Sequence, residues 1–205
     1  MKKLNMLCIG AMLIAGTSKA QTFSITGYGG YLFQDKVSFA NAYGYIKEGG
    51  FWGASIEGIN REGAGFELLY QGQSTQVPMY TYGGAKLPGQ EGVTCSYILI
   101  NGVRYLQNND HVQPYAGIGA GIAIVNSDAG SSQTKFAWDF KLGVKLKTAS
   151  VIGFKLQAQL NSISQCGGAG IYAGTGGGGL YVSSYSTIWQ FGFAGGLTFD
   201  FDRGK

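Results

Sequence analysis

Charge is scarce in this chain. Only 13% of its 205 residues are Asp, Glu, Lys or Arg, about half the usual share. Lys2, Lys3 and Lys19 fall within the first 20 residues, and without them twelve basic residues face eleven acidic ones. That balance gives no electrostatic case for nucleic-acid binding. Three prolines are too few for a Pro-rich linker, and 45% apolar residues are too many for a disordered chain. Histidine occurs once, as His111, and no CxxC pair or Cys/His cluster is present, so a zinc site lacks ligands. No run of 18 apolar residues follows the first 20, which excludes a spanning helix there. What is plentiful is glycine, 36 residues, more than twice the usual share and without a collagen repeat. The length suits one domain, two at most.

Residues 1–20 read MKKLNMLCIGAMLIAGTSKA. Lys2 and Lys3 form a basic start, an apolar stretch runs from Leu4 to Gly16, and Ser18-Lys19-Ala20 supplies small residues at a cleavage site. This is the secretory signal pattern, with cleavage expected between Ala20 and Gln21. The apolar run is short of the roughly 20 residues a spanning helix needs. Cys8 is expected to leave with the signal, and residues 21–205 are expected to form one domain.

The mature segment alternates with period two and shows no helical periodicity. Phe136, Trp138, Phe140, Leu142, Val144 and Leu146 share one face, and Lys135, Ala137, Asp139, Lys141, Gly143, Lys145 and Lys147 share the other. The same division recurs at 151–163 and 187–201. Eight strands are predicted, at about 23–33, 43–59, 64–74, 93–106, 112–125, 135–147, 151–163 and 187–201. The fourth is ambiguous, because Asn101 interrupts one apolar face and Arg104 the other. Most of these strands reach the 9–11 residues that a tilted strand needs to cross a bilayer. Short turns at 60–62, 107–111 and 148–150 alternate with long connections at 34–42, 75–92, 126–134 and 164–186. That is the layout of an up-and-down outer-membrane barrel, with both ends of the strand run on the short-turn side.

The alternative is a soluble lipocalin-type barrel with the apolar face inside. Volume decides between the two. Six bulky side chains on one strand, with aromatics on the next, would overfill the interior of an eight-stranded barrel. The opposite face is rich in Gly, Ala, Ser and Gln and suits a narrow polar lumen. The bulky face is therefore expected to meet lipid, where closure satisfies every backbone group. The fold class is all-β, an eight-stranded antiparallel transmembrane barrel.

At this point the sequence resembles the small eight-stranded outer-membrane barrels, the family of the OmpA transmembrane domain, OmpX and the opacity-type proteins. The resemblance covers 21–201 and rests on GYGGYLF at 27–33, QPYAGIGAGIAIV at 113–125 and the last strand IWQFGFAGGLTFDF at 188–201. It implies an outer-membrane location, outer-membrane lipid and lipopolysaccharide as surroundings, and the barrel-assembly machinery as a partner. A surface-interaction role would act through loops 34–42, 75–92 and 164–186, with an extracellular ligand on 75–92 and 164–186.

Hidden chemistry has few candidates. His111 sits in a short turn with Asp110, on the side away from the one where enzymatic barrels of this type work. No catalytic residue, cofactor or metal site is therefore expected. Gly117-Ile118-Gly119-Ala120-Gly121 lacks the strand-to-helix switch of a phosphate loop. Glu57, Glu67, Arg104, Asp139, Lys141, Lys145 and Lys155 are placed on the inward faces, as a charge network that fills the lumen and leaves at most a small, intermittent conductance. Neutralising Glu67 or Lys141 is expected to raise conductance and lower stability together. Two functions remain open: a structural or surface-interaction protein working through its loops, and a small porin. Cys95 and Cys166 are candidates for a disulfide, which export would permit.

Overall fold

The computed structural model describes residues 22–38, 42–86, 92–106, 111–128, 130, 132–148, 150–164 and 187–202. The expected signal segment and its Ala20–Gln21 cleavage point lie outside them.

Eight long strands close into an antiparallel barrel. They are β1 (Thr22–Leu32), β4 (Gly49–Ile59), β5 (Ala64–Gln76), β7 (Gly92–Tyr105), β8 (Val112–Ser127), β9 (Ser132–Lys147), β10 (Ile152–Ser164) and β11 (Ile188–Asp202). The barrel closes where β1 meets β11, from Thr22 opposite Asp202 to Leu32 opposite Gly192. Both ends of the strand run therefore lie at one rim, the short-turn rim.

The turn after β4 shows why so few residues suffice at that rim. Asn60 Oδ1 accepts from the N–H of Glu62 at 3.0 Å and of Ala64 at 2.9 Å. Gly63 takes a φ of 79°, which only glycine adopts without strain.

Three shorter strands form a second sheet at the other rim: β2 (Asp35–Ser38), β3 (Ala42–Ile46) and β6 (Met79–Thr81), in the order β2-β3-β6. This corrects two expectations. The second predicted strand, 43–59, is two elements parted at Lys47–Glu48, and only β4 enters the barrel. Connections 34–42 and 75–92 are partly folded against each other. The break is held in place by Lys47, whose N–H donates to Gln76 O at 3.0 Å and whose carbonyl accepts from Thr75 Oγ1 at 2.7 Å. The connection expected at 126–134 is also shorter, since β8 runs on to Ser127 and β9 resumes at Ser132.

The faces divide as the volume argument requires. The bulky residues of β9, β10 and β11, from Phe136 and Leu142 to Phe199 and Phe201, are exposed on the outside. An apolar outer band is tolerated only in lipid. Aromatic pairs edge the band: Trp138 on Trp189 with centroids 5.0 Å apart and Trp52 on Tyr70 at 5.3 Å towards the long-loop rim, and Phe23 on Phe201 at 6.4 Å at the other. Such girdles sit at headgroup depth.

Candidate functional site: a filled lumen and a capped mouth

Alternation that sends bulk outward leaves Gly and long polar side chains inside. Six of the seven charges assigned to the lumen are there and fully buried: Glu57, Glu67, Asp139, Lys141, Lys145 and Lys155. They form tiers. Nearest the short-turn rim, Lys145 Nζ pairs with Asp200 Oδ1 at 2.6 Å, and Ser24 Oγ donates to the same oxygen at 2.6 Å. Next, Lys155 Nζ pairs with Glu57 Oε2 at 2.8 Å, while Tyr105 OH donates to Glu57 Oε1 at 2.8 Å. The Lys155 ammonium also lies 5.7 and 5.3 Å from the ring centroids of Tyr105 and Tyr115, within cation–π range. The third tier joins Lys141 to Glu67 in direct contact and to Asp139 Oδ2 at 3.5 Å. Glu67 accepts further from Asn101 Nδ2 at 2.9 Å and Tyr28 OH at 3.1 Å.

Above the charges lies an amide tier. Gln157 Nε2 donates to Gln159 Oε1 at 2.8 Å, and Gln159 Nε2 to Gln71 Oε1 at 2.9 Å, a contact between β10 and β5 across the lumen. The glycines make room for these side chains. A Cβ on Gly119 would stand 1.5 Å from Asn101 Oδ1 and 2.5 Å from Asp139 Oδ1. The GxGxG segment is thus a packing surface for the network.

Towards the long-loop rim the lumen becomes more apolar, with Gln73, Asn161 and Gln190 buried among the apolar residues. Leu32, Phe51, Tyr97, Leu99, Ile163 and Ile188 cluster there, and Val37 and Ile46 of the loop sheet are buried in the same cluster. The sheet therefore caps the mouth with one face. Its other face carries tyrosines. Tyr43 stacks on Tyr80 at 5.6 Å, Tyr45 meets Tyr43 edge-on at 5.7 Å, and Tyr82 lies 6.0 Å from Tyr43. Lys36 Nζ sits 4.9 Å over the Tyr43 ring.

Arg104 is the correction. It pairs with Ala64 and Ala116 on the outside of the barrel and is exposed. The inward positions of β7 include Cys95, Tyr97, Leu99, Asn101, Val103 and Tyr105. Both faces of β7 are apolar because its inner one serves the capped mouth and the tyrosine tier, so alternation alone could not fix its phase. Sequence reasoning also left out Asp200 and the phenols of Tyr28, Tyr105 and Tyr115. Asp200 was legible, since it alternates with Phe199 and Phe201.

Of the disulfide candidates, Cys95 is buried on the inner wall near the long-loop end of β7, and Cys166 lies outside the described residues. So do 87–91 and 165–186 of the two long loops. At the short-turn end, His111 O accepts from Lys147 N at 2.8 Å.

Comparison with known proteins bears out the fold. No family model matches the chain, and no curated protein does. Solved structures do. An outer membrane protein of Pseudomonas aeruginosa, OprG, superposes with a TM-score of 0.61 at 13% identity, over 90% of this chain and 97% of that one. Neisserial surface protein A gives 0.55 at 15% identity, over 89% and 98%. The outer membrane protein AlkL, solved in lipid bilayers, gives 0.52 at 11% identity, over 91% and 93%. The fold is that of the small eight-stranded outer-membrane barrels, and the apolar belt sets the chain in that membrane.

Proposed function

We propose that this chain is a surface-interaction protein of the outer membrane, in which the barrel is the anchor and the loop sheet the working face. The observation that carries this reading is the tyrosine face of β2-β3-β6. Tyrosines give rigid, amphipathic contact area at little entropic cost and are enriched at binding surfaces. Here four of them pack on one another at the long-loop rim with Lys36 beside them, while the opposite face is used up in capping the barrel. The loops at 75–92 and 164–186 are proposed to share the partner.

The porin reading has less support. Ion pairs, amides and an apolar cluster succeed one another along the lumen, and eight strands enclose only enough space for side chains.

Cells displaying the wild-type chain or a Tyr43→Ser/Tyr80→Ser variant decide the matter. Both should show the heat-modifiable gel shift of a folded barrel. The variant should lose binding of protein and glycan probes to the cell surface, by about thirtyfold if the pair behaves as an interface hot spot. Undiminished binding by the variant would refute the proposal.

A further inference from the structure

Among the described residues of the eight barrel strands, Arg104 is the only charged side chain on the outward face. No ion pair joins it to an acidic residue among the described residues. A cation on the lipid face is costly at the bilayer centre and tolerable only near an interface. Arg104 is the second-last residue of β7 and so stands at the short-turn interface.

The surface around it is not flat. One register row runs across five strands as Gly58, Phe66, Gly102, Ile118 and Phe140. Phe66 and Ile118 are 66% and 62% exposed. Gly102 lies between them and has no side chain, so the two form walls with β7 as the floor. The row below is Ala64, Arg104 and Ala116, whose methyl groups leave the guanidinium open on both sides. The resulting groove holds about 720 Å³, within the range of small-molecule pockets. Its walls are apolar, and its polar lining is Asn60 and the Arg104 guanidinium, the latter a fork of donors suited to phosphate.

We infer that this groove is a binding site for one glycerophospholipid of the leaflet at the short-turn rim. The phosphate lies on Arg104, and an acyl chain runs over Gly102 between Phe66 and Ile118. Charge complementarity selects a phospholipid over a second copy of the chain: the outward faces of the barrel strands carry no described acidic side chain to meet Arg104, and the exposed Glu62 lies in the short turn, outside the apolar belt.

Native mass spectrometry of the full refolded barrel, released from detergent with added dioleoylphosphatidylglycerol, tests this. Wild type should retain one lipid. Dioleoylglycerol, which lacks the phosphate, should be retained at least about tenfold less, the loss of one charge-assisted contact, and inorganic phosphate, which lacks the chains, should also be retained less, for want of the apolar contact along the groove. This arm needs only the wild-type protein. Arg104→Gln should lose retention by a similar factor. Gly102→Leu should lose it with the cation still present, because the side chain fills the groove. Equal retention of dioleoylglycerol and phosphatidylglycerol, or wild-type retention by Gly102→Leu, would overturn the site. A dimer that phosphatidylglycerol does not displace, and that Gly102→Leu abolishes, would assign the groove to a second copy instead.

Discussion

Lys141 is one ammonium shared by two carboxylates, Glu67 in direct contact and Asp139 at 3.5 Å. The two sides of this cluster are therefore not equivalent. Glu67→Gln keeps the Lys141–Asp139 pair and an amide that still hydrogen-bonds, so it should cost about 1–3 kcal/mol. Lys141→Met leaves two buried carboxylates facing each other without a cation and should cost about 3–5 kcal/mol. Urea titration of the barrel folded into vesicles measures both, and a Lys141→Met variant no less stable than Glu67→Gln would contradict the shared-cation reading. Gly119 is the matching test of space. A valine there would drive its branches into Asn101 and Asp139. Gly119→Val should destabilise by at least the 1–3 kcal/mol of an overpacked core, whereas Gly29, with nothing within 4 Å of its Cβ position, should accept alanine freely.

The eight strands were legible because each has an outer face that must suit lipid, and lipid tolerates few exceptions. The loop sheet was not. Its central strand β3 pairs with β6, from Ala42 opposite Thr81 to Gly44 opposite Met79, and no local pattern encodes a partner so far along the chain. The lumen charges of β4, β5, β9 and β10 could be read, since each alternates with an apolar outer neighbour. Arg104 could not, because β7 is apolar on both faces. The sheet has its own test. Val37 and Ile46 are its buried contacts with the mouth of the barrel. Ile46→Asp would place a charge in that cluster, so the sheet should lift while the barrel stays closed. Limited proteolysis should then cut within 35–46 and 79–86, with the heat-modifiable shift unchanged. Loss of the shift as well would mean that sheet and barrel fold as one unit.

Two closures lie in series along this molecule, and they are chemically different. The short-turn half is shut by ion pairs and amides, the long-loop half by an apolar cluster under a folded sheet. An ion entering past one meets the other. Opening the charged tier alone removes the pairing that makes a narrow polar lumen impassable, yet leaves the packed mouth of Leu32, Phe51, Tyr97 and Leu99 under the sheet. Lifting the sheet alone takes Val37 and Ile46 out of that cluster but leaves the apolar residues of the barrel wall and the ion pairs beneath them in place. The conductance expected from neutralising Glu67 or Lys141 should therefore be small in the single variants. It should rise further when either is combined with Ile46→Asp. Planar-bilayer recording of wild type, Glu67→Gln, Ile46→Asp and the double variant measures this directly. Large, stable, ohmic steps from the wild-type protein would overturn the filled-lumen account altogether. Steps of that kind from Glu67→Gln alone would show that the charged tier is the only effective barrier and that the sheet serves the surface rather than the lumen.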